Sequence, residues 1–295
     1  MTPLRVSPAA RQTVLRGIVY MCIAVAIMPV MNAIAKALTV DYPLTQVVWA
    51  RFTGHFLFMA ALFWPRRGWR VLATSRPAMQ FARSAVMFVS NGFFIVALST
   101  VALATASAIM FTAPLIITAL SVPFLGERVG PRRWTAVLLG FVGALIIIRP
   151  GGGALALGEL LVLGSATAFA VYQLFTRKLA AVDAPDTMIL YTALVAALAM
   201  SAVVTFTFEA PHDLRDWGLF VALGVIGGIT QYFVIKALQC APAAVVAPYG
   251  YGELIGATIF GYVIFGDFPD GWTWVGAAII VASGVYVAYR EGLAR

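Results

Sequence analysis

The segment NGFFIVAL at residues 91–98 recurs as QYFVIKAL at residues 231–238, which lies 140 positions later in the chain. The alignment needs no gap, and the third, the fifth and the last two residues are identical. Further pairs keep this register at offsets of 140 or 141: Gly17 and Gly158, Asn32 and Gln173, Lys36 and Arg177, Gly126 and Gly266, and Trp134 and Trp274. The chain therefore contains a repeat of about half its length, and this repeat decides the architecture before any single helix is assigned.

The composition is typical of a membrane protein. Hydrophobic residues make up 62% of the 295-residue chain and charged residues 11%, whereas about 25% of residues in soluble domains are charged. One soluble core cannot bury so much apolar surface, but a bilayer solvates it, at about 20 apolar residues for each crossing. The sequence predicts an all-α membrane protein with ten transmembrane helices. The ten windows are 17–38, 45–64, 79–99, 103–124, 133–149, 158–179, 187–208, 217–238, 243–265 and 272–289.

The two halves are expected to run in opposite senses. Each half crosses the membrane five times, an odd number, so the second repeat must be inverted with respect to the first. We place the first repeat at residues 1–150 and the second at 151–295, joined by the Pro/Gly-rich run 149–153, which breaks a helix. Inverted repeats are typical of secondary transporters, whose halves rock about a shared site.

The positive charge of the chain is a topology signal. Of the 20 Lys and Arg residues, fifteen fall in segments on the side of the amino terminus, and only Arg149 and Arg215 fall in segments on the other side. This bias predicts that both termini are cytoplasmic. The net charge of +8 is therefore explained by the membrane, and we expect no nucleic-acid partner.

Helices 4 and 5 carry a family pattern, which the second half repeats in part. The matching stretches are ASAI (106–109), TAPL (112–115), LGER (125–128), WTAV (134–137), APAAVVAP (241–248) and FGD (265–267), with Arg51-Phe52 in helix 2. The chain resembles the EamA type of the drug/metabolite transporter superfamily, with Asp267 in place of the usual glutamate. This resemblance implies two inverted five-helix repeats around a central cavity in a bacterial inner membrane. It also implies a small polar solute, such as an amino acid, riboflavin, a nucleotide-like metabolite or S-adenosylmethionine.

Glu253 is the sharpest candidate for a substrate site. It lies near the middle of predicted helix 9, with Tyr249 one turn before it on the same face. Ionisable residues within a membrane are costly and are functional candidates by default. Glu253 can carry a coupling proton or bind a cationic group of the substrate. The alternative is a protonated glutamate that bonds to a neighbouring helix.

Arg51 and His55 share one face of helix 2. Arg51 can anchor a carboxylate or phosphate of the substrate, or it can pair with Glu253. His55 can relay protons, or it can make a single hydrogen bond between helices.

Amides and a tyrosine complete the predicted substrate site. Asn91 and Gln231 occupy equivalent positions in helices 3 and 8, and Asn32 and Gln173 do so in helices 1 and 6, with Tyr172 beside Gln173. Buried amides need partners, which are either substrate atoms or facing helices. Lys36 and Arg177 fall in the last turn of their helices, where we expect long side chains to reach the headgroups.

These features favour a secondary transporter for a small polar metabolite, driven by proton coupling or by exchange. A passive channel is the first alternative and an intramembrane enzyme the second. We identify no catalytic residue and no metal ligands, and we expect no cofactor, since Cys22, Cys240, His55 and His212 have no metal-site spacing and the sequence has no P-loop. The expected partners are a small-molecule substrate and the lipid bilayer, and the sequence leaves monomer and homodimer open.

Overall fold

The computed structural model describes residues 8–126, 130–148, 157–179, 182–241, 246 and 249–293, and those residues form helices and connections without a strand. The first half contains α1 (Pro8–Asp41), α2 (Leu44–Arg67), α3 (Pro77–Leu98), α4 (Leu103–Met110), α5 (Ala113–Leu125) and α6 (Pro131–Ile148). The second half contains α7 (Leu157–Leu179), α8 (Pro185–Val204), α9 (Leu214–Cys240), α10 (Glu253–Phe265) and α11 (Gly271–Leu293). The prediction of an all-α protein is confirmed.

Seven segments of the described chain are long and apolar enough to cross a membrane. They are Gln12–Asp41, Leu44–Leu72, Pro77–Leu98, Leu103–Phe124, Leu157–Leu179, Pro185–Val204 and Leu214–Cys240. Three shorter apolar helices, Trp134–Ile148, Glu253–Phe265 and Gly271–Val287, lie in the three predicted windows that remain. We call the side where α1 begins the terminal face and the side where α1 ends the distal face.

Two glycines end equivalent helices in the same way. Gly126 follows α5 with a φ of 68°, and Gly266 follows α10 with a φ of 71°. Each is in the left-handed region that favours glycine, and each donates its N–H back to the last turn of its helix. These glycines occupy equivalent positions of the two repeats, so the sequence repeat is also a repeat of helix ends.

The fourth helix of each predicted repeat is broken, whereas the sequence predicted continuous helices over 103–124 and 243–265. Turns at Phe111-Thr112 and at Tyr251-Gly252 precede α5 and α10. In the first break, Pro114 lies in the first turn of α5, where a proline is tolerated because its missing N–H would have no helical partner. Continuation of α4 through Pro114 would remove a helical hydrogen bond, so the chain restarts there.

The two breaks meet each other. Phe111 and Tyr251 are equivalent residues of the two repeats, and their rings contact edge to face with centroids 4.9 Å apart at an angle of 79°. Such an arrangement is favoured by the ring quadrupoles. The contact joins the two broken helices at the same point of each repeat.

Helix packing crosses between the halves, and two equivalent glycines make the same kind of contact. The starts of α1 and α7 lie against the ends of α9 and α3. A Cβ at Gly17 would lie 3.0 Å from the carbonyl oxygen of Ala237, and one at Gly158 would lie 3.8 Å from that of Ala97. Because both glycines and both alanines are repeat pairs, the same local packing occurs twice.

A close helix crossing joins α2 to α9. A Cβ at Gly54 would lie 2.7 Å from the Cα of Gly224, so the two backbones touch without an intervening side chain. Close approach through glycines is a common way to pack membrane helices. The crossing fixes the part of α2 that carries Arg51 and His55.

Candidate functional site

Glu253 is the first residue of α10 and lies directly after the helix break. The side-chain nitrogen of Asn32, on α1, donates a hydrogen bond of 3.2 Å to Glu253 Oε1. Asn32 is only 2% exposed, so this bond lies inside the helix bundle. The position also places the carboxyl group at the positive end of the α10 dipole, which favours negative charge. The structure thus brings two predicted site residues into direct contact at a break.

Two glycines bring α10 close enough to α1 for this bond. A Cβ at Gly252 would lie 3.3 Å from Val25 Cγ1, and one at Gly256 would lie 2.6 Å from Pro29 Cγ. Val25, Pro29 and Asn32 follow each other at helical spacing on α1. Either glycine replaced by a larger residue would push α10 away from Asn32.

Arg51 and His55 lie on α2, where Arg51 is near Glu253 and His55 is near Arg51. The charges of Arg51 and Glu253 act on each other, and the charge of Arg51 acts on His55. The structure shows no direct ion pair between Arg51 and Glu253. Opposite charges are therefore close together at the break and remain separate.

Several buried polar atoms of this cluster have no hydrogen-bond partner among the described residues. They are Arg51 Nη1, His55 Nε2 and Asn32 Oδ1. A buried donor or acceptor without a partner costs about 1–3 kcal/mol. A polar solute beside Glu253 would supply partners to a cationic donor, an imidazole nitrogen and an amide oxygen.

The remaining predicted site residues lie on other helices, and the structure does not join them to Glu253 by a hydrogen bond. Asn91, on α3, donates a bond of 3.0 Å to the carbonyl of Met87 in its own helix. Gln231 on α9 and Gln173 on α7 are half-buried, and Tyr249 is 42% exposed.

Tyr172 belongs to a second polar cluster, built around Arg83. The guanidinium of Arg83 lies over the Tyr172 ring at 5.1 Å, and Arg83 is only 1% exposed. It donates to Thr192 Oγ1 at 2.9 Å, to Thr176 Oγ1 at 3.3 Å and to the carbonyl of Met188. These bonds join α3 to α7 and α8, so Arg83 fixes the packing of three helices around Tyr172.

Some buried hydroxyl groups carry no signal in the sequence. Thr53 Oγ1, Thr230 Oγ1 and Ser107 Oγ are buried without a hydrogen-bond partner among the described residues. Hydroxyl residues occur throughout membrane helices and often bond to their own backbone, so their spacing does not single them out. Thr53 lies between Arg51 and His55 and is the nearest of the three in sequence to the Glu253 cluster.

The expected orientation of Lys36 towards the headgroups is wrong. Its Nζ forms an ion pair of 2.6 Å with Asp267 Oδ2 and donates to the carbonyl of Val101 at 3.3 Å. A long side chain at a helix end does reach headgroups when nothing closer can accept its protons. Here two acceptors from other corners of the distal face lie within reach.

The family model of the EamA-like transporter family matches residues 15–149 and again residues 156–289. The chain belongs to the EamA-like transporter family. It is a multi-pass membrane protein with a two-repeat architecture and a transporter of small metabolites, not an enzyme.

Named relatives of this transporter carry different solutes. A riboflavin transporter of Vibrio cholerae serotype O1 is 35% identical over 184 residues, which span 62% of this chain and 62% of that protein. An S-adenosylmethionine uptake transporter of Rickettsia bellii is 30% identical over 224 residues, which span 76% of this chain and 77% of that protein. A crystal structure with 21% identity superimposes with a TM-score of 0.64 over 95% of this chain and 99% of that one. This last similarity shows a shared fold.

Proposed function

We propose that the protein is a secondary transporter that works by alternating access, with ten transmembrane segments in two inverted five-helix repeats around a central cavity. The proposed location is the bacterial inner membrane, with both termini and hence the terminal face in the cytoplasm. The charge bias of the sequence supports this orientation. The broken helices support alternating access, because secondary transporters place substrate and coupling ions at such breaks near the membrane midplane.

The observation that carries the proposal is the polar cluster at the break before α10. Asn32 binds Glu253, Arg51 is close without pairing, and buried atoms of Arg51 and Asn32 have no partner among the described residues. A structural ion pair would bring the two charges into contact. Opposite charges that do not touch instead suit a solute with two charged groups, one bound to Arg51 and the other to Glu253.

The proposed solute is small and polar and carries both an anionic and a cationic group. The names of the relatives do not decide between substrates, since riboflavin and S-adenosylmethionine transporters are similarly related to this chain. A carboxylate on Arg51 and a cationic group on Glu253 favour an amino-acid-like or S-adenosylmethionine-like solute. Riboflavin, which lacks a cationic group, is the alternative substrate.

The other predicted residues have supporting roles in this proposal. Tyr249, Asn91, Gln231, Gln173 and Tyr172 are proposed to contact the solute through rings and amides. Glu253 carries the coupling proton when the cationic group is absent, and His55 assists proton transfer. In exchange, solute replaces solute without a net proton movement.

Counterflow into reconstituted vesicles tests the proposal with three labelled solutes: a neutral amino acid, S-adenosylmethionine and riboflavin. We expect saturable uptake of one of the first two. Glu253→Gln is expected to abolish proton-driven uptake and to leave exchange partly intact, because the neutral amide cannot carry the proton. Arg51→Gln is expected to weaken apparent affinity by about tenfold or more, the loss of a charge-assisted bond.

The matched control is Glu159→Gln, which changes another glutamate in the first turn of a helix, α7, and should transport normally. Normal uptake by Glu253→Gln at every pH would make Glu253 structural. Saturable uptake of riboflavin alone would contradict the proposal of a solute with two charged groups, but it would still support transport. Flux that rises without saturation would instead identify a passive channel.

A further inference from the structure

Lys36 ties together three parts of the distal face. It lies near the end of α1, and its Nζ contacts Asp267, just after α10, at 2.6 Å and the carbonyl of Val101, between α3 and α4, at 3.3 Å. The same ammonium lies 4.8 Å from the centroid of the Phe265 ring. One side chain therefore links the first predicted repeat to the corner between α10 and α11.

The burial of Lys36, the less exposed partner, makes this ion pair more than a surface contact. The side chain of Lys36 is 14% exposed and that of Asp267 is 37% exposed. Exposed pairs contribute little because water screens both partners, but loss of one partner of a shielded pair leaves the other charge without compensation. A further ion pair joins Arg67 to Asp186 at 3.4 Å, and its arginine is 49% exposed.

The repeat equivalent of Lys36 is in a different environment. Arg177 holds the matching position of the second repeat, near the end of α7 on the terminal face, and α7 packs against α5 as α1 packs against α10. Arg177 is exposed, whereas Lys36 is largely buried. The same position is therefore largely buried at one face and exposed at the other.

We infer that Lys36 and Asp267 form a latch that holds the distal face closed in this conformation and opens when the protein turns to that side. The inference rests on the proposed alternating access. Because packed interfaces have discrete arrangements, the loss of one latch shifts the population towards the state in which that latch is open.

The test measures access to a buried position below the latch. Ala33 lies one turn before Lys36 on the same face of α1 and is 2% exposed. Ala33→Cys, in a background with Cys22→Ser and Cys240→Ser, serves as the reporter. Its reaction with a membrane-impermeant maleimide is followed from the distal side in sealed vesicles of known orientation.

We expect Lys36→Gln and Asp267→Asn each to raise the labelling rate about tenfold, within the usual range of coupling between sites. The charge swap that combines Lys36→Asp with Asp267→Lys is expected to return the rate to within about twofold of the parent. Arg67→Gln, which breaks the ion pair with Asp186 at the terminal face, should leave distal labelling unchanged. Thermal unfolding of each variant shows that it is folded.

Unchanged labelling in folded Lys36→Gln and Asp267→Asn proteins would overturn the latch. An equal rise in Arg67→Gln would overturn it too, because the effect would then be a general loosening. Counterflow by the parent protein separates the two proposals. Counterflow with unchanged labelling rejects the latch alone, whereas tenfold labelling without counterflow of any solute supports the latch motion and rejects the proposed transport.

Discussion

The two helix breaks have the same backbone and different chemistry. Before α5, the N–H of Thr112 donates to the carbonyl of Ile109 at 3.0 Å, and before α10, the N–H of Gly252 donates to that of Tyr249 at 3.0 Å. The two donors are repeat equivalents, and so are the two acceptors. The next residue is a buried alanine, Ala113, in one repeat and Glu253 in the other. The repeat thus supplies two equivalent breaks, and a single substitution makes one of them a polar site.

The largest effect is expected when the carboxyl group is moved from the break before α10 to the break before α5. Glu253→Ala is expected to lower solute counterflow to background, at least about a hundredfold, because both the proton carrier and a substrate ligand are lost. Ala113→Glu in that variant is not expected to restore it. Asn32 contacts the second break only, while Ala113 packs with the apolar residues Ile116, Ala166 and Ala170.

Counterflow and thermal unfolding measured on the same samples check this prediction. The added glutamate should also lower the melting temperature, since a carboxyl group in an apolar cluster lacks a partner. Ala113→Gln is the uncharged control of similar size. Restored transport in the double variant would mean that the two breaks are chemically interchangeable.

Two equivalent glycines at helix contacts allow the packing of the two repeats to be compared. A Cβ at Gly17 would lie 2.7 Å from the Cβ of Ala241, next to backbone, whereas one at Gly158 would lie 2.5 Å from Val101 Cγ2, a side-chain end. We expect Gly17→Ala to destabilise the protein by about 1–3 kcal/mol, the usual cost of overpacking. Gly158→Ala should cost less, because the valine can change rotamer.

Thermal unfolding in detergent measures both effects. Gly92→Ala in α3 is the control, since nothing lies within 4 Å of a Cβ there, and it should be neutral or slightly stabilising. Equal losses at Gly17 and Gly158 would show that the two contacts are mechanically equivalent despite their different neighbours.

The corners between helices give the smallest effect and a difference in pH dependence. Tyr42 and Asp183 hold matching positions of the two repeats, and each fastens a corner: Tyr42 bonds to Asp216 and accepts from the N–H of His212 at 2.9 Å. Asp183 accepts from Thr74 at 2.6 Å and from Gln80 at 2.7 Å. Burial and the bond to Asp216 raise the pKa of Tyr42, so the Tyr42 hydroxyl stays protonated in acid, whereas the Asp183 carboxylate takes up a proton there.

Burial alone would raise the pKa of Asp183, but the bonds from Thr74 and Gln80 and the charge of Arg83 outweigh it and hold the pKa below its usual value. A lowered pKa stabilises the fold fully above the unfolded pKa of about 4. That contribution is lost as the pH falls through the lower folded value. Melting curves between pH 3 and 6 should show a stability difference between the parent and Asp183→Asn that shrinks below about pH 4. A stability difference that stays constant over this pH range would contradict the lowered pKa of Asp183.

The sequence predicted the repeated scaffold because its signals are local. Apolar windows, Gly126 and Gly266 as helix ends, and small residues at contacts can each be recognised from a few neighbouring positions. The cluster of Glu253 with Asn32 was predicted as a set of polar residues inside the membrane, because burial of such groups is costly wherever they lie.

The features that the sequence did not predict depend on contacts between segments that are distant in the chain. The ion pair of Lys36 with Asp267 joins residues 231 positions apart, and a helix-end lysine has the same sequence pattern whether it meets a carboxylate or a headgroup. The hydrogen-bond partners of Arg83 likewise come from α7 and α8, and only the approach of these helices to α3 supplies them. The breaks were missed because a proline in an apolar window, such as Pro114, is compatible with a kink as well as with a new helix start.

The contact between Phe111 and Tyr251 bears on the ancestry of the chain. In a symmetric pair of identical subunits, a residue on the two-fold axis meets its own copy, and these two rings are such copies within one polypeptide. An ancestral five-helix subunit that paired with an upside-down twin would have set one aromatic residue against itself at this point. A single polypeptide is free of that constraint, and Tyr251 carries a hydroxyl group that Phe111 lacks.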